Sequence, residues 1–262
     1  MLNINDMSVS TRSGSGAFGV ADLRDAFGKA LVAYSRGEPA IYIIERDDGL
    51  VREDDAGTYF IPYDEWPEFE REAVLEARGR VLDVGVGAGR VALWLQDKGH
   101  DVVGIDVSPL ALEVSRLRGV RDLRLMDVRE LDFPDGSFDT VLMLGNNLGI
   151  GGDAGQTRRI LGGLHRITSE DGIVIAGTRD PLKTDDPAHL AYHERNRRMD
   201  RPPGLVRIRI GFEGEFDDWF ELLLLGREEL ADLLEPTGWL ISRIYDTGEA
   251  NYVAILSKRP TG

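Results

Sequence analysis

The residues best suited to chemistry lie in the segment 81–90, which reads Val-Leu-Asp-Val-Gly-Val-Gly-Ala-Gly-Arg. Its apolar start predicts a buried strand, and the residues after the turn predict a helix. Three glycines define this glycine turn (85–89): Gly85, Gly87 and Gly89. Glycine lets the backbone turn sharply and lets a nucleoside ligand approach closely, at the carboxyl edge where α/β sheets bind ligands. A dinucleotide fingerprint would instead put its third small residue at Arg90.

Acidic residues accompany the glycine turn and the next two strand ends. Asp83 precedes the glycines, and Asp106 and Asp127 end the two following apolar runs, 21 residues apart. An acid at the second strand end suits both hydroxyls of a ribose, and one at the third suits an exocyclic adenine amine. Strand-end aspartates also commonly cap the next helix, so each one alone has a structural explanation. Their order on three successive strands favours a nucleoside cofactor.

Together these residues resemble the class I S-adenosylmethionine-dependent methyltransferases, over about 79–259. The resemblance implies S-adenosyl-L-methionine as cofactor, with its methionine part at the glycine turn and its ribose at Asp106. Its adenine would be read by Asp127 and the backbone of Val128. The segment 144–148, Leu-Gly-Asn-Asn-Leu, would face the cofactor's amino group and methyl. The predicted cofactor-binding residues are Asp83, Gly85, Gly87, Gly89, Asp106, Val107, Asp127, Val128 and Asn146.

Short apolar runs alternate with helical segments from Gly79 onward. This alternation predicts an α/β fold, a Rossmann-like three-layer sandwich in which helices cover a parallel sheet. Closing strands near 240–245 and 252–256 are joined by too short a turn for a parallel crossover, so we expect them to be antiparallel. The resemblance implies a mostly parallel seven-stranded sheet in the order 3-2-1-4-5-7-6, with strand 7 antiparallel.

The chain divides into three parts by pattern. Residues 1–19 are polar and rich in glycine and serine, lack the apolar stretch of a secretory signal, and are expected to form a flexible tail. Residues 20–78 predict an N-terminal helical cap. Residues 79–262 are the expected methyltransferase domain. An insertion at 179–225, after strand 5, is interpreted as a substrate lid, and its alternating apolar residues predict a hairpin.

Side chains of the cap and the insertion are candidates for the acceptor site. Three aromatic residues of the cap could cover the cofactor: Tyr59, Tyr63 and Trp66. The predicted substrate contacts are Tyr63, Arg179 and Tyr192, with a buried ion pair as the alternative for Arg179. The catalytic residue is not identified, and the candidates are Asn147, His189 and His193. The two histidines, four residues apart, lack a third ligand at a diagnostic spacing, so no metal site is predicted.

The insertion also carries a dense group of arginines. Six of them lie between 195 and 209 with one acid, Asp200, which gives this stretch a local charge of +5. Such a stretch could attract an acidic substrate. Five acids between 213 and 221 compensate the charge. If the two arms form a hairpin, the charges pair across the strands instead.

The composition excludes several classes of function. The 262 residues include 31 basic and 46 acidic side chains, and the net charge of −15 repels nucleic-acid backbones and anionic membranes. Cysteine is absent, which excludes disulfides, thiolate zinc sites and a cysteine nucleophile. We therefore expect a cytoplasmic protein whose partner is a small-molecule substrate, not nucleic acid or a membrane. The sequence sets no oligomeric state.

The resemblance implies in-line methyl transfer to a small-molecule acceptor, at an N, O or C atom that the sequence does not define. Two alternatives stay open. One is a nicotinamide-dependent oxidoreductase on a related sheet, against which the glycine spacing counts. The other is a protein that binds S-adenosylmethionine without catalysing a reaction.

Overall fold

The N-terminal region begins with the predicted amphipathic helix. Helix α1 (Ala26–Ser35) follows Asp25, whose side chain accepts a hydrogen bond from the backbone N–H of Gly28 and caps the helix. The computed structural model describes residues 24–260, so the tail expected at 1–19 lies outside the described residues.

Residues 41–55 form a β-hairpin, which corrects the prediction of a helical cap over the whole of 20–78. Strand β1 (Ile41–Arg46) pairs antiparallel with strand β2 (Val51–Asp55). The β-branched and aromatic residues of Ile-Tyr-Ile-Ile favour a strand over a helix. The turn between the strands contains an Asp-Gly pair, and Gly49 has a φ of +87° that suits such a turn. The N-terminal region is therefore mixed α/β.

The alternation after residue 79 builds the main sheet. Its seven strands are β3 (Arg80–Val84), β4 (Asp101–Asp106), β5 (Asp122–Leu125), β6 (Phe138–Met143), β7 (Thr168–Arg179), β11 (Trp239–Asp246) and β12 (Asn251–Lys258). They lie in the order β5-β4-β3-β6-β7-β12-β11. The first five are parallel, and β12 is antiparallel to both of its neighbours. This is the predicted order 3-2-1-4-5-7-6 with strand 7 reversed, so the predicted fold class is confirmed.

Helices cover both faces of the main sheet. They are α2 (Glu68–Val74), α3 (Arg90–Asp97), α4 (Pro109–Arg118), α5 (Ala154–Ile167) and α7 (Arg227–Leu234), whereas α6 (Pro187–Arg198) lies in the insertion. One face packs against α2 and α3 and buries Val81 and Ile175, and the other packs against α5 and α7 and buries Leu82 and Val174. Burial on both faces explains why these strands are continuously apolar. Within residues 24–260, no helix combines the length and apolar character needed to cross a bilayer.

The insertion and the N-terminal hairpin share a second sheet. Its remaining strands are β8 (Leu205–Phe212), β9 (Glu215–Phe216) and β10 (Phe220–Leu223). The order is β10-β8-β1-β2 with β9 also on β8, and every pairing is antiparallel. The alternation in the insertion thus does form strands, but β8 also pairs with β1. The N-terminal region and the insertion are therefore joined in one layer.

The second sheet packs against α1 and the glycine turn. Tyr42 of β1, Phe212 of β8 and Leu31 of α1 are buried in one apolar cluster with Ala88 of the glycine turn. The second sheet therefore lies over the carboxyl edge of the main sheet, where β3 ends.

The arginines of the insertion mostly pair with acids. Three pairs connect them to the second sheet and its turns: Arg195–Asp47 (2.9 Å), Arg201–Glu221 (2.5 Å) and Arg209–Glu45 (2.6 Å). Two of these three acids belong to the N-terminal hairpin and not to the stretch 213–221. The positive charges of the insertion are therefore compensated mainly by acids of the N-terminal hairpin, a pairing that the local sequence of the insertion does not predict.

We expect Gly149→Ala to destabilise the fold, because this glycine packs against the insertion. A methyl group there would overlap the backbone carbonyl oxygen of Leu223 in β10. Overpacking of this kind costs about 1–3 kcal/mol, measurable as a lower urea midpoint. Gly162→Ala is the matched control, because it lies in α5 with nothing within 4 Å of the added carbon. Alanine should raise the stability there by up to about 1 kcal/mol. Equal midpoints for the two variants would contradict this packing.

Candidate functional site

The glycine turn connects β3 to α3 with a backbone that requires glycine. The φ angles of Gly85, Gly87 and Gly89 are +70°, +55° and +78°, which side chains with a Cβ rarely adopt. The N–H groups of Gly85 and Val86 both donate to the carbonyl oxygen of Ile105, at 2.9 and 3.0 Å. These bonds hold the turn against the end of β4. The turn is therefore a fixed backbone surface at the carboxyl edge of the main sheet.

Asp106 lies at the end of β4 and binds the glycine turn directly. Its carboxylate accepts the backbone N–H of Gly87 and of Ser108, each at 2.9 Å. Burial raises the pKa of the Asp106 carboxyl, and these two N–H donors oppose the increase. A carboxylate has about four lone-pair positions, so Asp106 keeps acceptor capacity for ligand hydroxyls.

Asp83 is buried beside the turn, with 5% of its surface exposed. Burial raises the pKa of its carboxyl to about 7, the positive charge of Arg90 opposes this, and the negative charge of Asp106 adds to it. Arg90 also pairs with Glu70 at 2.7 Å and lies over the Trp66 ring, 4.5 Å from its centroid. Near neutral pH, Asp83 therefore exchanges a proton easily.

The third acid, Asp127, follows β5 at the same edge. Its carboxylate accepts the backbone N–H and the Nε–H of Arg129, each at 2.9 Å, and this pairing lowers its pKa. Val107, which follows Asp106, is 65% exposed, whereas Val128 is buried. The edge therefore offers an apolar surface between two acids, an arrangement that suits the flat face of a base.

Asn146 and Asn147 follow β6, and Asn147 contacts the glycine turn. Asn146 adopts the left-handed conformation, with φ +71°. The amide nitrogen of Asn147 donates to the carbonyl oxygen of Val84 at 3.0 Å, and a Cβ on Gly85 would overlap it. Asn147 therefore ties the loop after β6 to the glycine turn and uses its amide in doing so.

The candidate acceptor residues do not all lie together. Arg179 ends β7 at the carboxyl edge of the main sheet. Tyr63 instead stacks on Trp94 in the second half of α3, with ring centroids 4.5 Å apart, and donates its hydroxyl to the carbonyl oxygen of Arg71. The structure does not bring Tyr63 to the glycine turn.

The candidates on α6 pack against β1. Tyr192 donates its hydroxyl to Asp47 at 2.8 Å. His189 contacts the guanidinium of Arg46 through Nδ1 at 2.9 Å. His193 is buried, its Nδ1 has no hydrogen-bond partner among residues 24–260, and burial and neighbouring cations lower its pKa. These contacts fasten α6 to the second sheet.

Within residues 24–260, no group of three or more histidine, aspartate or glutamate side chains is arranged to hold a metal ion.

Comparison with known proteins identifies the fold. The family model described as a methyltransferase domain matches residues 82–176. The structure is similar to that of a SAM-dependent methyltransferase from Bacteroides fragilis in complex with S-adenosyl-L-homocysteine, with a TM-score of 0.78 and 27% identity, over 90% of this chain and 96% of that chain. Residues 82–176 thus match a methyltransferase domain, and the fold is that of the class I S-adenosylmethionine-dependent methyltransferases.

Curated relatives match this chain over less than half of its length. A phosphatidylethanolamine N-methyltransferase from Cereibacter sphaeroides is 46% identical over 88 residues, 30% of this chain and 43% of that protein. The ubiquinone/menaquinone biosynthesis C-methyltransferase UbiE from Citrifermentans bemidjiense is 31% identical over 122 residues, 42% of this chain and 50% of that protein. The chain thus spans about half the length of the curated relatives it matches.

Several residues that support the site were not predicted from the sequence. Ser108 donates its hydroxyl to Asp25 at 2.7 Å and so connects the start of α1 to the Asp106 loop. Ser115 donates to the carbonyl oxygen of Gly87 at 2.7 Å. Arg118 donates to the carbonyl oxygens of Ala88 and Tyr59, at 2.5 and 3.3 Å. An aspartate before a helical run is a capping signal that could have identified Asp25; the others leave no local signal.

Proposed function

We propose that this protein is an S-adenosylmethionine-dependent methyltransferase that acts on a small-molecule acceptor. The observation that carries the proposal is the hydrogen bond from the Gly87 N–H to the Asp106 carboxylate. It lies at the edge of a sheet whose seventh strand is reversed, as in this family. The similarity to the Bacteroides fragilis protein, which extends over 96% of that chain, supports the same cofactor here.

The residues at the edge fit this cofactor. A Cβ on Gly87 would meet nothing within 4 Å except the carbonyl oxygen of Gly85 at 3.9 Å, so the space in front of the turn is open. The glycine turn and the loop of Asn146 would hold the methionine part. Asp106 would accept the ribose hydroxyls, and the exposed Val107 would lie against the adenine. Asp127 and the backbone of Val128 would form hydrogen bonds with the edge of the adenine.

The cofactor supplies a sulfonium whose methyl group is transferred in line to the acceptor. The protein must hold the acceptor atom roughly 3 Å from that methyl carbon and keep water away. The second sheet and α1 lie over the edge and perform the covering role, which is why we retain 179–225 as a substrate lid. Asn147 acts as a positioning residue. No general base is assigned, because orientation alone supports this displacement.

We propose that the acceptor is a small molecule that is methylated at an N, O or C atom. The printed names of two relatives mention different acceptors, and each relative matches less than half of this chain. We assign the choice of acceptor to the N-terminal region and the insertion, because their shared sheet packs against the glycine turn. The net charge of −15 argues against a long polyanion such as nucleic acid.

Calorimetry with S-adenosylhomocysteine tests cofactor binding, and transfer of labelled methyl from S-adenosylmethionine into a metabolite extract tests catalysis. We expect binding of S-adenosylhomocysteine, a labelled product and no binding of nicotinamide dinucleotides. Absence of S-adenosylhomocysteine binding at millimolar concentration would reject the proposal. Binding without any labelled product would favour the non-catalytic alternative.

A further inference from the structure

Arg179, at the carboxyl edge of the main sheet, is a cation that finds no counter-ion among residues 24–260. Its side chain is partly buried, yet among residues 24–260 its guanidinium has no carboxylate within 4 Å and no hydrogen-bond acceptor. Burial and the neighbouring positive charge of Arg52 lower the pKa of Arg179. No acid of the described residues compensates this partly buried charge, so its N–H donors are available to a ligand that pairs with them.

The position of Arg179 is next to the proposed cofactor site. Its strand, β7, lies beside β6 in the main sheet. A Cβ on Gly177 would lie 3.2 Å from the backbone nitrogen of Gly145, which precedes the Asn146 loop. Arg179 therefore ends a strand that packs against the loop facing the glycine turn.

Arg52 approaches from the second sheet. In the hairpin register, Arg52 lies opposite Ile44, and Asp54 lies opposite Tyr42. Opposite residues of an antiparallel pair share a face, and Tyr42 and Ile44 pack in the cluster that contains Ala88 of the glycine turn. Arg52 and Asp54 thus lie on the face directed towards the main sheet.

Asp54 and Asp180, two carboxylates close in sequence to Arg52 and Arg179, do not pair with Arg179. Asp54 pairs with Arg52 and partly neutralises it. The carboxylate of Asp180, next to Arg179, accepts the backbone N–H of Leu182 at 2.9 Å. In contrast, the arginines of the insertion at 195, 201 and 209 already have carboxylate partners. Arg207 has no carboxylate partner among residues 24–260 but is exposed and lies over the Trp219 ring, so Arg179 is the partly buried candidate for an acidic ligand.

We propose that Arg179, assisted by Arg52, binds an oxyanion of the methyl acceptor, a carboxylate or a phosphate. The inference rests on the proposed function, because it assigns the substrate class of the same site. A guanidinium presents two parallel N–H donors that match such a group. An anion held at the end of β7 would orient the acceptor across the loop of Asn146 towards the cofactor methyl.

The test is calorimetric titration of the protein saturated with S-adenosylhomocysteine, using inorganic phosphate in one arm and benzoate in the other. We expect the wild-type protein to bind one of the two probes, which identifies the oxyanion. Arg179→Gln should raise the dissociation constant of that probe at least about tenfold, since hydrogen bonds to charged groups are the strong ones. Arg179→Lys keeps the positive charge but lacks the two parallel N–H donors, so its affinity for the probe should lie between those of Arg179→Gln and the wild type.

Arg207→Gln is the matched control, an exposed arginine of β8 next to the Trp219 ring. It should change probe affinity less than about twofold, as expected for a surface substitution. Equal probe affinity in wild type and Arg179→Gln, or no binding of either probe to wild type that binds S-adenosylhomocysteine, would overturn the inference. Arg179-dependent probe binding in a protein that does not bind S-adenosylhomocysteine would keep the oxyanion site and reject the proposed function.

Discussion

Asp106→Asn should raise the dissociation constant of S-adenosylhomocysteine at least about tenfold, because it removes a charged acceptor from the proposed ribose site. The substitution keeps the size of the side chain but replaces one carboxylate oxygen by an amide nitrogen. That change also weakens the hold on the N–H groups of Gly87 and Ser108, which Asp106 now accepts at 2.9 Å. Both the ligand contact and the shape of the glycine turn are therefore affected. Calorimetry measures the effect.

Asp101→Asn provides the control for the same chemical change on the same strand. Asp101 is at the opposite end of β4, is exposed, and pairs with Arg80 at 3.0 Å. Exposed pairs contribute about 0–1 kcal/mol, so cofactor affinity should stay within about twofold. If Asp106→Asn binds S-adenosylhomocysteine as tightly as Asp101→Asn does, Asp106 does not hold the ribose.

The carboxyl edge of the main sheet, where we propose the cofactor site, could be predicted from the sequence because its determinants are local. Each of Asp83, Asp106 and Asp127 lies within a few residues of a short apolar run, and parallel strands bring their carboxyl ends to one edge. The glycine turn needs positive φ at three positions, which only the glycine spacing reveals. The reversed last strand follows from the short turn before it.

The second sheet could not be predicted in the same way, because its central pairing is non-local. β1 pairs with β8, an element more than 150 residues later, and neither segment contains a local signal that predicts the other as its partner. The hairpin of β1 and β2 did carry a local signal, its Asp-Gly turn, which the apolar spacing of the preceding helix obscured. The pairing of Arg195 and Arg209 with acids of this hairpin was hidden for the same reason.

The placement of Tyr63 illustrates a further limit of sequence reasoning. Tyr63, an aromatic residue in a covering segment, is predicted to contact the substrate, and in the structure its ring stacks on Trp94 and contacts Trp66. Aromatic pairs contribute about 0.5–1.5 kcal/mol beyond burial, so such a residue finds partners wherever the fold supplies them. Its type alone does not distinguish the two outcomes. Arg179 differs because it has no such partner in the described residues.

Replacing Asp83 should change how the stability of the protein depends on pH. Burial raises the pKa of Asp83 from 3.8 to about 7, so the folded state holds a proton that the unfolded state has released between these values. The free energy of unfolding of the wild type therefore falls as pH rises through this window and is constant above it. Asp83→Asn has no carboxyl to ionise there. The variant should gain about 2–3 kcal/mol relative to wild type between about pH 5 and about pH 8.

Urea unfolding of the wild type and of Asp83→Asn at the two pH values measures this difference in the free energy of unfolding. Titration of the groups that both proteins contain affects both equally and therefore cancels in the comparison. Asp97→Asn, an exposed residue at the end of α3, is the control and should follow the wild type at both values. A constant difference between Asp83→Asn and wild type would mean that Asp83 is already ionised at the lower pH. The expected result would establish that the glycine turn is built beside a carboxyl kept half-protonated near neutral pH. A cationic group of the cofactor that binds beside this carboxyl would then displace its proton.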